Sequence, residues 1–552
     1  MALSTTYRTL KGSKHPHPRE HQKLRPTAGA ELITVTLMLR RKPDDSRPRP
    51  DAVIADGTSR PTHDVFTSEY GADPAELNAV AGFAKGAGLD VLETDAAKRS
   101  IIVRGTASAI SNAFNVQLNE YRYRRGTYRG HDDEVKVPAN IADFVEAVVG
   151  LTNRKVAARH FSTISARRTS PAMDPPNTRP LTPAQVAALY NFPDGDGAGQ
   201  TVGLYEMATY DQAGNLVPAG YTRSDVAATM TALGNLPLPR LIDVPIDGIE
   251  NSGVSDGETG LDITVVGAIA PAATIAVYFA GAEVQNMIHA LQKMIHPSAG
   301  DPVPNIVSIS YGWGPDDLDT PNFSDAEWAQ FVQLFEDAAI NKISVLVSSG
   351  DSGAFSESDT QAQVNYPGSD VWVTSCGGST LGNVTGSSCE EWVWNDVGID
   401  GRAPGATGGG ISARFPVPSY QTSASVKVRN GTGKAGRGVP DIAGNASEAS
   451  GYLQVFNGSA PEPVGGTSAV APLYAGLVAR INANNGFPAG FLNPLLYSLP
   501  ASAFRDITGA PGPANNDFRG VKGYPAGPGW DPCTGLGSVN GQALQSALAA
   551  RG

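Results

Sequence analysis

Two carboxylic acids four residues apart, Glu258 and Asp262, stand in DGETGLDITVVGAIAP (256–271), and a serine, Ser468, sits far downstream in VGGTSAVAP (464–472). The glycines free the backbone before the serine, and the helix-compatible run APLYAGLVARI follows it, so Ser468 is predicted at a helix N-terminus. A serine hydroxyl attacks a carbonyl only when a base takes its proton. Histidine is the usual base, and of the eight histidines (His15, His17, His21, His63, His131, His160, His289 and His296) only two lie beyond residue 170. Those two stand in or just after EVQNMIHALQKMI (283–295) with no active-site sequence around them, and read as helix-surface or packing residues.

Spacing i, i+4 puts Glu258 and Asp262 on one helix face, where two ionised carboxylates cost about 0.2–0.5 kcal/mol. A chain that tolerates this either leaves the pair in water or uses it. In a cleft, a shared proton raises one pKa and makes a base or acid suited to mildly acidic solution. A solvated helix face is the competing reading, although the apolar run ITVVGAIAPAATIAVYFA points to a buried helix. A third acid, Asp351, ends the apolar strand of SVLVSSGDSGAF (344–355). It reads either as a turn aspartate or helix cap, or as a protonated oxyanion-hole donor.

These groups need a scaffold, and the chain provides an alternating one. TVGLYEM, RLIDVPI, TIAVYFA, NIVSISYG, SVLVSSG and VWVTSCGG are short apolar strands, with RSDVAATMTALG, ETGLDITVVGAIA, EVQNMIHALQKMI and DAEWAQFVQLFEDAAIN as helices between several of them. This implies a parallel sheet covered on both faces, with its site at the carboxyl ends of the strands. Before it, ELITVTLMLR, DPAELNAVAGFAKGAG, LDVLETDA, SIIVRG, ASAISNAFN and VQLNEYRYR read as a compact α+β sandwich. Residues 1–30 read as a mobile lead-in, and the Ser-, Arg- and Pro-rich stretch 161–180 as a cleavable linker.

Charge divides at the same place. Residues 1–170 hold 26 Lys and Arg against 19 Asp and Glu, and the remainder holds 16 against 35, a net +7 facing −19. A nucleic-acid arm would also be basic, but the apolar periodic segments favour a domain that docks on its acidic partner. No run of 18 apolar residues spans a membrane, and the N-terminus lacks the apolar core of a Sec signal. Three cysteines allow at most one disulfide, with Cys376 and Cys389 the nearer pair, and no metal-binding Cys spacing occurs.

GGTSAVAP, the ETGLD helix with GAIAP-AATIAVYFA, and SSGDSG, in this order, resemble the sedolisin family of serine-carboxyl peptidases, most closely its kumamolisin-like members. LTPAQVAALYNFP (181–193) looks like the start of the mature enzyme and GPGWDPCTGLGS (527–538) like its end. The resemblance implies a subtilisin-like α/β fold, a parallel sheet with helices on both faces, preceded by an α+β ferredoxin-like prodomain. It divides the chain into an activation prodomain (1–170) and a peptidase domain (171–552). By position it makes Ser468 the nucleophile, Glu258 the general base and acid, Asp262 the carboxylate that tunes Glu258, and Asp351 the oxyanion-hole acid. Glu206 would extend the carboxylate network, with Tyr311 standing where close relatives often have Trp. The backbone around Tyr311 and at GGGIS (408–412) would bind extended substrate.

The resemblance also implies one structural Ca²⁺, held by Asp506, Ile507, Gly527, Gly529 and Asp531 through two carboxylates and three carbonyls. The function it implies is an acid-active, extracellular, monomeric endopeptidase made as a self-processing zymogen, with polypeptide substrates, its own prodomain as intramolecular inhibitor, and no nucleic-acid or membrane partner. The competing readings are a Ser-His-Asp hydrolase using His289 and a non-catalytic peptidase-like binding protein.

Overall fold

The computed structural model describes residues 6–18, 20–43, 59–123, 126–156, 158–159, 162–163, 177–210, 216–314, 322–355, 362–396, 405–428 and 432–551. Most of the linker expected at 161–180 lies outside them.

In the N-terminal part, Leu32–Leu39 pairs antiparallel with Ser100–Thr106 on one side and Val145–Val149 on the other, and Asp90–Asp95 completes the four-stranded sheet. Alternation along the strand serves two cores. Ile33, Val35, Leu37 and Leu39 join the core of the N-terminal sandwich, together with Val80 and Ala84 of the helix Pro74–Gly86. Met38 on the opposite face joins Ala147 and Val149 against the helices Val284–Ile295 and Asp325–Ile340. The second face is therefore the docking face, and it docks on the larger domain. Helix starts follow their caps: the Asp73 carboxylate accepts the Ala75 and Glu76 N–H groups, and the Thr106 hydroxyl accepts that of Ala109.

The first 30 residues depart from the expected lead-in. Tyr7–Thr9 pairs with Lys136–Pro138, and His21–Pro26 with Asn119–Tyr123. His15 is buried, its Nδ1 2.8 Å from a Glu327 carboxylate oxygen in the larger domain.

That domain is built on one mixed sheet. Its strands run in the order Arg240–Pro245, Thr274–Ala280, Thr201–Met207, Ile306–Ile309, Ser344–Ser348, Thr374–Thr385, Ser388–Val393, and Ile442–Asn445 also pairs with Thr374–Thr385. All pairings are parallel except that of Thr374–Thr385 with Ser388–Val393. Glu258–Ile269 and Val470–Asn485 cover one face, and Val284–Ile295 and Asp325–Ile340 the other. Leu181, Val186 and Leu189 of the LTPAQVAALYNFP segment already belong to the first of these cores. All three cysteines are free thiols, so the Cys376–Cys389 pairing does not form.

Candidate active site

Glu258 is the first residue of its helix, directly after Gly257, whose φ of +91° suits a residue without a Cβ. Both Glu258 and Asp262 have no exposed surface, as has every helix residue from Leu261 to Val266 that contributes to the core. A solvated acidic face is thereby excluded. Ser468 lies in a single 3₁₀ turn, Thr467–Ala469, which follows Gly466 at φ +108° and feeds the helix Val470–Asn485, as its sequence predicts. The turn packs against the Glu258 helix.

Ser310 joins the two. Its hydroxyl lies 2.8 and 3.0 Å from the Asp262 carboxylate oxygens, and its carbonyl accepts the Ser468 hydroxyl at 3.3 Å. Burial, then the neighbouring Glu206 and Glu258 charges, push the Asp262 carboxyl well above its ordinary range. Ser310 was absent from the expected site, although its place at the carboxyl end of the NIVSIS strand, one residue before Tyr311, is where such sheets collect functional groups.

A further acid lies behind Asp262. One Glu206 oxygen accepts hydrogen bonds from the Tyr311 hydroxyl at 2.8 Å and from the Thr259 hydroxyl at 3.0 Å. Burial, followed by the charge of Asp256, pushes the Glu206 carboxyl up to about 8. The network is thus a set of buried acids that hold protons at mildly acidic pH. Thr259 also carried no signal in the sequence beyond its place in ETGLD.

Asp351 completes the constellation from the Ser344–Ser348 strand. One of its oxygens accepts both the backbone N–H of Thr467 at 2.8 Å and the Thr467 hydroxyl at 2.7 Å. The other is buried with no hydrogen-bond partner among the described residues. Burial pushes this carboxyl up to about 7 against the two bonds from Thr467, so in acid it is a neutral O–H donor beside the nucleophile turn.

Described residues between 155 and 163 pair with strands close to Ser468. Lys155 bridges antiparallel to Glu283 and the Val156 N–H reaches the Ala282 carbonyl at 3.0 Å. Ala158–Arg159 then pairs antiparallel with Tyr311–Gly312, and Ser162–Thr163 with Val464–Gly465, just before Ser468. Tyr311, one of the two expected substrate-binding positions, pairs with this segment, and Glu462–Gly465 pairs with it further on; Gly410–Ile411 of GGGIS pairs with Gly438–Val439 inside the domain.

His289 is not the serine's base. Its Nδ1 faces the Asp247 carboxylate at 2.8 Å and its Nε2 the Thr36 hydroxyl of the N-terminal domain at 2.7 Å, on the sheet face opposite Ser468. His296 is likewise buried at that inter-domain contact, 3.2 Å from Asp337. Of the two expected readings, helix-surface or packing, both histidines take the second, packed at the contact between the domains.

The five residues expected to hold Ca²⁺ do converge. Asp506 accepts the Gly529 N–H at 2.9 Å, and Asp531 accepts that of Gly527 at 3.2 Å. The Ile507 carbonyl accepts the Thr534 hydroxyl, which also reaches Asp531. Burial pushes the Asp531 carboxyl up to about 6, opposed by hydrogen bonds from Cys533, Thr534 and Gly527.

Residues 20–154 match the family described as Pro-kumamolisin, activation domain. Over 545 residues, 95% of this chain and 93% of the relative, the sequence is 39% identical to kumamolisin from Bacillus sp. (strain MN-32). It is 31% identical over 582 residues to tripeptidyl-peptidase sed5 from Aspergillus fumigatus, covering 97% of this chain and 96% of that one. Among solved structures, Pseudomonas sedolisin in complex with two molecules of pseudo-iodotyrostatin is similar with a TM-score of 0.54 and 26% identity, over 67% of this chain and 98% of that chain.

Proposed function

Because the chain belongs to the sedolisin family of serine-carboxyl peptidases, we propose that it is an acid-active endopeptidase whose Ser468 is activated by Glu258 and Asp262, and that its N-terminal domain keeps it latent until it cuts itself. The observation that carries this reading is the Asp262–Ser310–Ser468 connection, which ties the buried acids to the nucleophile with no histidine involved.

In the proposed reaction Glu258 takes the Ser468 proton as Oγ attacks the substrate carbonyl carbon. The carbonyl oxygen becomes an oxyanion and receives a hydrogen bond from protonated Asp351. Glu258 then hands its proton to the leaving amine, which departs and leaves an acyl-serine. Water hydrolyses that ester with Glu258 again as base. Asp262, held by Ser310, retains its proton at working pH and so keeps Glu258 the member of the pair that ionises and reprotonates. Glu206, fixed by Tyr311 and Thr259, supports Asp262 from behind.

The segment 155–163 supports the zymogen reading, since a substrate bound as an added strand would follow the same strands. Between the two ladders stand His160 and Phe161, and we place the self-cleavage among the bonds joining Arg159 to Ser162, at the front edge of the 161–180 stretch. Incubation at about pH 4 tests both claims. The wild-type chain should shorten to a product beginning within residues 160–162, and Ser468→Ala should stay intact; equal processing of the two refutes the assignment.

The C-terminal residues suit Ca²⁺: two carboxylates, of which Asp531 is buried and raised by that burial, stand among carbonyl-rich turns. Asp506, Asp531 and the carbonyls of Ile507, Gly527 and Gly529 would hold the ion, which would brace the C-terminal loops. The strand order Asp90–Asp95, Ser100–Thr106, Leu32–Leu39, Val145–Val149, antiparallel with helices between, favours a ferredoxin-like prodomain. No helix among the described residues is long and apolar enough to cross a membrane. An extracellular monomer acting on polypeptides is the setting that fits an acid peptidase with its own inhibitor.

A further inference from the structure

The proposed reaction leaves His296 unused, although it is 3% exposed and sits among charges. It ends the helix Val284–Ile295, and its Nε2–H points at an Asp337 oxygen 3.2 Å away on the helix Asp325–Ile340. These two helices are the platform of the prodomain, which brings two arginines to the same carboxylate. Arg41 Nη2 lies 2.7 Å from one Asp337 oxygen and Arg99 Nη2 2.8 Å from the other, while Arg41 Nη1 pairs with Glu336 at 2.5 Å. The Phe66 ring of the prodomain covers the imidazole at 4.7 Å. Arg60 closes the edge by donating to the carbonyls of Ile295 and Pro304. Asp95, paired with Lys98, is the remaining charge that faces His296.

The charges of this sealed contact balance without the histidine. Arg41, Arg99, Arg60 and Lys98 stand against Asp337, Glu336, Asp95 and Glu93, the last two both paired with Lys98. A proton on His296 would add a positive charge with no partner of its own. Once the prodomain leaves, Arg41, Arg99 and Phe66 go with it. Asp337 then keeps His296 as its nearest cation.

We propose that His296 is the acid sensor of the zymogen: the positive charge brought by its second proton competes with Arg41 and Arg99 for Asp337, so acidification undocks the prodomain from this platform. The idea rests on the zymogen reading, and not on which group activates Ser468.

The sign follows from linkage. Burial lowers the His296 pKa in the docked form, whereas the undocked domain takes the proton readily. Docking is therefore complete above the ordinary imidazole range, about 6.5, and weakens by up to tenfold for each pH unit below it. Asp337 cannot supply this response. Although burial pushes it upward, Arg99 and Arg41 hold it far below the ordinary carboxylate range, so it protonates only in stronger acid.

Hydrogen exchange on the full-length Ser468→Ala chain, which docks and undocks without being cut, reads this directly. Lowering the pH from about 7 to 4 should raise the opening of Leu32–Leu39 and Val284–Ile295, with a pH slope that loses one proton in Ser468→Ala/His296→Gln. The midpoint should also move to lower pH. If the histidine variant does not fold, Arg99→Gln gives the converse: with one competitor removed, opening at neutral pH should increase and the midpoint should rise. An unchanged slope and midpoint in the variant that folds overturns the proposal. Failure of the zymogen reading would show separately, as a wild-type chain that undocks in acid yet remains uncut.

Discussion

Asp351 accepts two hydrogen bonds from Thr467 through a single oxygen, at 2.8 and 2.7 Å, and its second oxygen has no partner among the described residues. Thr467 immediately precedes Ser468, so the acid is fastened to the nucleophile turn while one end stays available to an oxyanion.

The second oxygen can donate only while protonated, which for a carboxyl pushed up to about 7 means below about that pH. Asp351→Ala should lower kcat by about 10²–10³-fold below about pH 7 and by progressively less above it, and Asp351→Asn, whose amide donates at any pH, should move the loss of activity to higher pH. Profiles of kcat/KM from pH 3 to 8 on a soluble peptide distinguish these outcomes. An unchanged profile in Asp351→Asn would remove Asp351 from the site.

Glu258→Gln should abolish turnover as fully as Ser468→Ala, because the residues of a nucleophile–base unit are not additive. Losses of at least about 10³-fold are expected in both, with folding verified by unchanged thermal transitions. His289→Ala should retain activity in the mature enzyme, since that ring serves Asp247 and Thr36.

Tyr311→Phe removes one of the hydrogen-bond donors to Glu206 and raises its pKa further. The expected cost is about 1–2 kcal/mol of stability, measurable by denaturant unfolding. Catalysis should fall less than in Asp262→Asn, because Glu206 acts through Asp262.

Mature enzyme should be more stable in acid than at neutrality. The carboxyls of Glu206 and Asp351 are raised in the fold to about 8 and about 7, so their contribution is complete below the unfolded value of about 4 and disappears as pH climbs through those values, and Asp262 is shifted in the same direction. Melting temperature against pH, with Ca²⁺ held constant, checks this, and a rise between pH 4 and 7 contradicts it.

Chelation should lower the melting temperature by an amount that grows with the logarithm of the Ca²⁺ previously present, about 2.7 kcal/mol at a hundredfold excess over Kd. Asp531→Asn should melt lower and lose most of that dependence. Indifference to chelator in the wild type would remove the ion.

The sheet was legible because its strands are apolar on both faces, and TVGLYEM, TIAVYFA and SVLVS all fall in it as expected. Ser468, Glu258 and Asp351 were singled out by local chemistry (a glycine before a serine, two acids one turn apart, and an acid at a strand end), but a turn aspartate or a solvated acidic face read equally well there, and only the family resemblance gave them roles. The prodomain contacts were not legible. His15 and Glu327 are 312 residues apart, and nothing in HPHPRE or in the DAEWAQF helix marks them as partners. The strand Glu462–Gly465 escaped for another reason, since EPVG has too few apolar residues to read as one. GGGIS, rich in glycine, suggested an open backbone edge and proved to be packed, with Gly408 and Gly409 against the backbone of Ser349 and Pro532.

The segment that pairs with Tyr311–Gly312 and with Val464–Gly465 is covalently continuous with both domains, and this gives the proposed first cut a kinetic order. In the proposed self-cleavage, inhibitor, substrate and enzyme are one molecule, so diluting the zymogen should change neither the local concentration of the bond nor the half-time of its hydrolysis. Only later cuts, made by released enzyme on neighbouring zymogens, should accelerate with concentration, so the dilution at which that acceleration vanishes isolates the intramolecular event.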